Sequence, residues 1–389
     1  MSEQAKPSEL LAAIERIGQE VARAAAADVD QKSRFPSETI DALRKVQALS
    51  AAVPREFGGA GASVPELTRM CTALSQHCAS SAMVLAMHHI QVLCIARHCQ
   101  GKPEWHEYLR SLVREQRLIA SVTSEVGPSG DMRRSIAAVQ VKGERFELEK
   151  KATTISYGQH AEDLLITCRR NGDAPPSDQV LVLALRGQFT LSDIGNWDTL
   201  GMRGTCSPGS TMRSAGPAWQ IMPEAFGQIA ASTMVPTSHL IWSGVWLGIA
   251  TDAVSKAQSV VRGKARAEPG VVPRSAVRLQ ELVRKLQLMR DQIYGIAKDY
   301  DELARAGDAE TLASLGFVLR INNLKLTSST LVVEIVGEAL GICGIMAYKN
   351  DSQWSLGRQL RDAYSAQLMI NNDRIQDTNA ALLLVHKGT

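Results

Sequence analysis

With 389 residues, 45% hydrophobic and 21% charged, the chain is long enough for two or three domains around a large core. A net charge of +3 is too small to point to nucleic acid or an acidic membrane as partner. The N-terminal MSEQAKPSELLAAIERIG is polar and then amphipathic, with no apolar signal core. No run approaches the ~18 apolar residues of a membrane span, so a cytoplasmic protein without membrane insertion is expected. Cysteines stand at 71, 78, 94, 99, 168, 206 and 343 with no CxxC pair, a scattered odd set that suits reduced thiols. His77-Cys78 and His98-Cys99 offer metal-ligand chemistry, but no second ligand pair has metal-site spacing, and no metal is expected.

Helical periodicity runs through 8–30 and 37–49, with Pro36 and Ser37 opening the second stretch. The Gly-rich VPREFGGAGAS (53–63) ends this pair. Residues 65–99 read as two helices and 103–117 as a short amphipathic one. The pattern then changes to alternating Val, Ile and Thr, in 119–125, 136–158, 162–170, 179–187 and 188–194. Turns such as Asn171-Gly172 separate these strands. From Pro223 helical periodicity returns in four long stretches, 224–266, 275–306, 309–345 and 353–387, which most simply form an antiparallel bundle. Residues 331–347 are apolar on most sides, as in a helix buried in a core or against a second subunit, so an oligomer is expected. The fold class is therefore α+β, mostly α: an N-terminal helical domain (1–118), a middle β-barrel or sheet domain (119–223) and a C-terminal four-helix bundle (224–389).

Five local motifs lie on this framework: FPSETIDALRKVQALSAAVPREFGGAG (35–61), SVTSEVGPSGD (121–131), KKATTISYGQHAEDLLIT (150–167), LGMRGTCS (200–207) and ALGICGIMAYKNDSQWSLGRQLRDA (339–363). In this order and on these elements they resemble the acyl-CoA dehydrogenase superfamily over nearly the whole chain. Arg361-Asp362-Ala363 matches that family's Arg-Asp-Ala signature.

The resemblance implies FAD bound between the β-domain and the bundle, in a homotetramer or homodimer. A flavin needs hydroxyl and backbone donors around its ring edge, because reduction places negative charge there. Ser121, Thr123 and Ser124 at a strand end, and Ser156 on the next strand pair, are the matching hydroxyls. Thr154 occupies the place where many members carry a tryptophan against the flavin. For the pyrophosphate the equivalent stretch is VVRGKARAEPG (260–270), where Arg262, Lys264 and Arg266 supply charge but the usual Phe-Gly is missing. Glu338 stands where the family often has a glutamine near the neighbouring subunit's FAD.

The departure from the family is its base. In α,β-dehydrogenation a carboxylate removes the α-proton while hydride goes to the flavin. Counted from Arg361, the family's glutamate position falls on Ile370, and the alternative position on the first bundle helix falls on Ser238. The last glutamate of the chain is Glu338, and none occurs between Glu224 and Glu268. Asp373, His239 and the adjacent His88 and His89 are the candidate substitutes; Asp362 fits a structural ion pair better. Two adjacent histidines on a helix point about 100° apart, so one of them at most faces a pocket comfortably.

Three readings follow. The first is an FAD-dependent oxidoreductase that oxidises an acyl thioester, on CoA or a carrier protein, with a non-standard base and an electron-transfer partner. The second is a flavin-dependent monooxygenase on the same fold, supplied with reduced flavin by a reductase. The third is a catalytically silent flavin-binding protein.

Overall fold

The structure is a computed structural model and describes residues 6–99, 101–127 and 131–386. Helices α1 (Pro7–Ile17), α2 (Arg23–Gln31), α3 (Ser37–Lys45), α4 (Val64–Ser75), α5 (Ala79–His98) and α6 (Pro103–Glu115) build the N-terminal region. A π-helical turn, Gly18–Ala22, joins the first two, and a Cβ on Gly18 would sit 2.5 Å from the His77 ring. Helix α4 opens on a capping box, in which the Ser63 side chain accepts from Glu66 N and Glu66 returns to the Ser63 N–H at 2.7 Å. Helix α5 is the axis of this region and is buried from Ala79 to Ala86 and from His88 to Ala96.

Two sheets follow. In the first, β1 (Ile119–Val122) runs parallel to β4 (Asp163–Arg169), which pairs antiparallel with β5 (Gln179–Ala184). Strand β5 is buried throughout and β4 as far as Cys168, as their continuous apolar sequences require. The second sheet has the order β2 (Gln140–Lys142), β3 (Arg145–Ala152), β7 (Ser210–Pro217), β6 (Phe189–Ser192), all antiparallel. Strand β3 alternates outward and inward, placing Phe146, Leu148, Lys150 and Ala152 inside.

Strand β7 is not among the strands expected from the alternation, because STMRSAGP reads as a turn-rich segment. Its partners decide its state: it registers with β3 over eight residues, from Arg145↔Pro217 to Ala152↔Ser210. Its small residues are required there, since a Cβ on Gly216 would lie 2.9 Å from the Phe146 ring.

Helix α7 (Phe226–Ile229) and a second π-helical turn, Ala230–Met234, lead into α8 (Val235–Ala267). His98 ties this junction together, with Nδ1 2.6 Å from Glu224 and Nε2 2.8 Å from Thr233. Helices α9 (Ser275–Ala306) and α11 (Leu315–Cys343) pack on α8, with the short α10 (Ala309–Ala313) between them and α12 (Ile345–Tyr348) after them. The expected last helix over 353–387 is two helices, α13 (Gly357–Leu368) and α14 (Asn372–Leu383). The break falls at Ile370, whose φ of +49° a β-branched residue rarely adopts.

Two helices, Ala79–His98 and Leu315–Cys343, reach the length and apolarity of a membrane span, contrary to the expectation that no run approaches it. The first owes its composition to lying inside the protein, with 94% of its apolar window buried. The second is 44% buried over its window. The seven cysteines are free thiols, six of them buried.

Candidate active site

The hydroxyls expected to meet a flavin lie along one rim of the β-domain. At the end of β1, the Ser121 and Thr123 hydroxyls are 2.8 Å apart. Ser124 Oγ donates to Thr154 O at 2.7 Å and accepts from the Thr154 backbone N–H and hydroxyl at 3.0 and 3.1 Å. Ser156 closes a chain in which Thr205 and Ser207 are 2.9 Å apart and Ser207 donates to Ser156 at 2.9 Å. Because Ser156 accepts from its neighbour, its own proton is left to donate outward. Thr154 is exposed, and Ser121, Thr123, Ser124 and Ser156 are half-buried.

Lys150 fixes this rim from below. It points into the protein from β3, and its ammonium donates to Val122 O and Thr123 O at 3.2 Å, Thr167 O at 2.7 Å and Thr167 Oγ1 at 2.9 Å. Burial lowers this ammonium to about 8, opposed by the charge of Glu125. Glu125 in turn accepts from Ser135 Oγ, Ile136 N and Ala137 N, folding the chain after β1 back on itself. Residues Pro128, Ser129 and Gly130 of the 121–131 motif lie outside the described residues.

The Arg-Asp-Ala signature docks α13 onto the β-domain. Arg361 pairs with Asp30 of α2 and donates to Leu200 O at 2.9 Å. Buried Asp362 accepts from Met202 N at 2.7 Å, so it anchors the 200–207 segment and does not pair with Arg361. Burial pushes its carboxyl up to about 6. A Cβ on Gly201 would overlap the Arg361 carbonyl, which is why a glycine stands there.

Ile370, where the sequence count from Arg361 puts the expected glutamate, presents its carbonyl to Lys325 Nζ of α11 at 2.7 Å. The same ammonium donates to Asn372 Oδ1 at 2.6 Å, and Asn372 Nδ2 donates to Ser329 at 3.1 Å. One turn back, Asn322 donates to Asn379 Oδ1 at 2.8 Å, and Asn379 donates to Asn323 at 3.0 Å. A polar ladder on α11 thus grips α14 and holds Ile370 in its left-handed turn. The sequence reading missed Lys325; the available signal was a single lysine in the apolar stretch INNLKLTSSTLVVEIVG.

The four candidate substitutes for the base separate. His88 is buried with both ring nitrogens in use, Nε2 2.6 Å from Leu49 O and Nδ1 accepting from Ile119 N at 3.1 Å. It joins the helical region to β1 and has no nitrogen left for a substrate or flavin. His89 and His239 are buried, with no hydrogen-bond partner on either ring nitrogen. Burial holds His89 well below its usual range, and burial reinforced by the charge of Lys325 pushes His239 down to about 3. Both are neutral imidazoles at neutral pH. Asp373 is exposed in the first turn of α14, where a carboxylate favours the helix dipole. Ser238 is buried beside His239.

Four carboxylates are buried among the described residues: Glu125, Asp163, Asp301 and Asp362. Each is committed: Glu125 and Asp362 as described, Asp163 to Arg117 and Tyr108, and Asp301 to Val64 N and Arg305. Arg262, Lys264 and Arg266 are exposed at the end of α8 and form no ion pair among the described residues. Glu338 is paired with Lys285 at 2.7 Å. His77 and His98, read above as conceivable metal ligands, are engaged by Arg23 and by Glu224 with Thr233.

The model of the acyl-CoA dehydrogenase N-terminal domain matches residues 5–115. The cyclohex-1-ene-1-carbonyl-CoA dehydrogenase of Geobacter metallireducens is 22% identical over 354 residues, 90% of each chain. Among solved structures, FMN-bound TdsC from Paenibacillus sp. A11-2, a dibenzothiophene monooxygenase, superposes with a TM-score of 0.83 at 19% identity over 98% of both chains. Butyryl-CoA dehydrogenase from Megasphaera elsdenii gives 0.80 at 19% identity, over 99% of this chain and 100% of its own. At these identities the structural likeness is one of fold. With the matched N-terminal domain, the docked Arg-Asp-Ala triplet and the three-part architecture, the chain carries an acyl-CoA dehydrogenase N-terminal domain and has the fold of that superfamily.

Proposed function

We propose that the chain is a flavin-dependent monooxygenase, which takes reduced flavin from a reductase and uses dioxygen on a small-molecule substrate. The carrying observation is the lack of a free buried carboxylate among the described residues: all four buried carboxylates hold structural partners, and Ile370, where counting from Arg361 puts the family's base, carries no acid. Removing an α-proton needs an ionised base beside the substrate. What stands at the Ile370 turn instead is the Lys325 ammonium, with the neutral, unpartnered His239 close enough to feel its charge, while Ser156 offers a hydroxyl on the β-domain rim. These are hydrogen-bond donors, suited to steadying negative charge as it develops.

The rim fits a flavin. Ser121, Thr123, Ser124, Thr154 and Ser156 would hold the ring edge, with Ser156 free to donate. The unpaired Arg262, Lys264 and Arg266 would serve the phosphates of FMN or FAD. When bound, reduced flavin supplies the two electrons that activate dioxygen. The chain's own part is to hold the ring, donate a hydrogen bond from Ser156, and shield the site from water. A second copy of the chain covering the half-exposed α11 completes this reading.

Oxidation of an acyl thioester is the second reading, favoured by relatives named as CoA dehydrogenases. The two part in one experiment. Reconstituted protein is supplied with NADH and a flavin reductase, and its reduced flavin is mixed with oxygenated buffer. A monooxygenase slows the decay of oxygen-reacted flavin relative to free flavin; a dehydrogenase accumulates no such species and is instead bleached by an acyl-CoA under anaerobic conditions. A protein that takes up no flavin overturns both.

A further inference from the structure

Lys325 carries a buried positive charge with no anion beside it. The residue is 0% exposed, in the middle of the helix α11. An ammonium has three N–H donors, and two are taken by neutral oxygens, Ile370 O and Asn372 Oδ1. Among the described residues no carboxylate lies within ion-pair distance. The Trp246 ring lies with its centroid 5.9 Å from Nζ, which offsets the charge in part. A cation so placed is costly unless it is paired, and burial accordingly lowers Lys325 to about 8.

Its surroundings lack partners too. His239, 1% exposed and close enough for its own titration to feel the lysine's charge, has two bare ring nitrogens. Trp246 Nε1 and Ser328 Oγ are buried and bare as well. Ser328 lies one turn along α11 from Lys325, and His239 and Trp246 lie two turns apart on the same face of α8. Buried polar groups are nearly always satisfied, so four side chains short of partners between two packed helices ask for a ligand. The ligand is specified by what they offer: a cation, an indole N–H, a hydroxyl and an imidazole able to donate, beside a flat aromatic wall.

We propose that Lys325, His239 and Trp246 form an anion-binding subsite that takes the carboxylate of a small planar acid. The ligand is the substrate only if the monooxygenase reading above holds; the subsite itself does not depend on it. The carboxylate accepts the third N–H of Lys325 and a proton from His239, and the ring of the acid lies toward Trp246. Lys325 then does two things: it locks the Ile370 turn and selects an acid over its neutral analogue.

The test is calorimetric titration of the flavin-loaded oxidised protein with benzoate and with benzamide, which differ in charge and hardly in shape. Benzoate should bind at least about tenfold more tightly near neutral pH, the effect of one charge-assisted hydrogen bond. Lys325→Gln should abolish that preference. In the wild-type protein, benzoate affinity should fall above pH 8, as the ammonium is lost; His239 on α8, the titratable group coupled to it, is already neutral there, and the turn contributes a neutral carbonyl and amide. Equal binding of the two probes, no binding of either, or an unchanged preference in Lys325→Gln overturns the subsite. Where that variant does not fold, the wild-type series decides: a benzoate affinity that is flat from about pH 7 to about pH 9.5 overturns it. No turnover is involved, so failure here leaves the oxygen chemistry standing, and failure of the oxygen chemistry leaves the subsite standing.

Discussion

Replacing Asp362 with asparagine isolates the electrostatic cost of the family's signature. Asp362 is buried, accepts from Met202 N at 2.7 Å, and has its carboxyl pushed by burial from 3.8 to about 6. A carboxyl with a raised folded value contributes stability below its unfolded value, near pH 4, and loses it as pH climbs through 6. Over that window the wild-type protein should lose about 3 kcal/mol relative to Asp362→Asn, from about 1.4 kcal/mol per pH unit. Asparagine keeps an oxygen for Met202 N–H, so the docking geometry survives. Its extra amide N–H costs about 1 kcal/mol at every pH and cancels from the pH dependence. The assay is urea unfolding of both proteins at a series of pH values between 4 and 7, followed by tryptophan fluorescence, since Trp197 Nε1 donates to Met202 O beside the site. The variant should go from slightly less stable at pH 4 to more stable at pH 7. A difference that stays flat across the window would refute the claim that burial of this charge dominates its energetics.

Other substitutions probe the remaining joints. Gly201→Ala should cost about 2–4 kcal/mol and loosen α13 from the β-domain, read as a lower unfolding midpoint, because the new methyl meets backbone and cannot be sidestepped. His88→Ala should lower stability by about 2–4 kcal/mol through the stranded Leu49 carbonyl and Ile119 N–H, with unchanged turnover per bound flavin. A fall in turnover with stability intact would restore His88 to the chemistry. Lys150→Met should weaken flavin binding by about tenfold or more in a fluorescence titration, since it frees the carbonyls that shape the end of β1. Ser156→Ala should weaken it about five- to tenfold by the loss of one donor.

The periodicities fixed the three-part architecture because long amphipathic helices and alternating strands state their burial locally. The triplet Arg361-Asp362-Ala363 and the absence of any glutamate after Glu338 were equally plain, since each is a matter of residue identity. What stayed hidden depends on partners distant in the chain. His88 and His89 are adjacent and alike in sequence; only Leu49 and Ile119 show which one is structural. Strand β7 looks like a turn until β3 and β6 flank it. The break between α13 and α14 has no glycine or proline to mark it, because Lys325, 45 residues away, stabilises it. Lys325 itself reads as an ordinary charge on a helix; its burial is a property of the packed bundle.

On this acyl-CoA dehydrogenase fold we propose that no side chain acts as a proton-abstracting base. It is tested most directly by incubating the flavin-loaded protein anaerobically with a saturated acyl-CoA in D2O and measuring α-deuterium by mass spectrometry. No incorporation above the buffer rate is expected. Enzyme-dependent exchange at the α-carbon would contradict this and show that a base acts on the substrate.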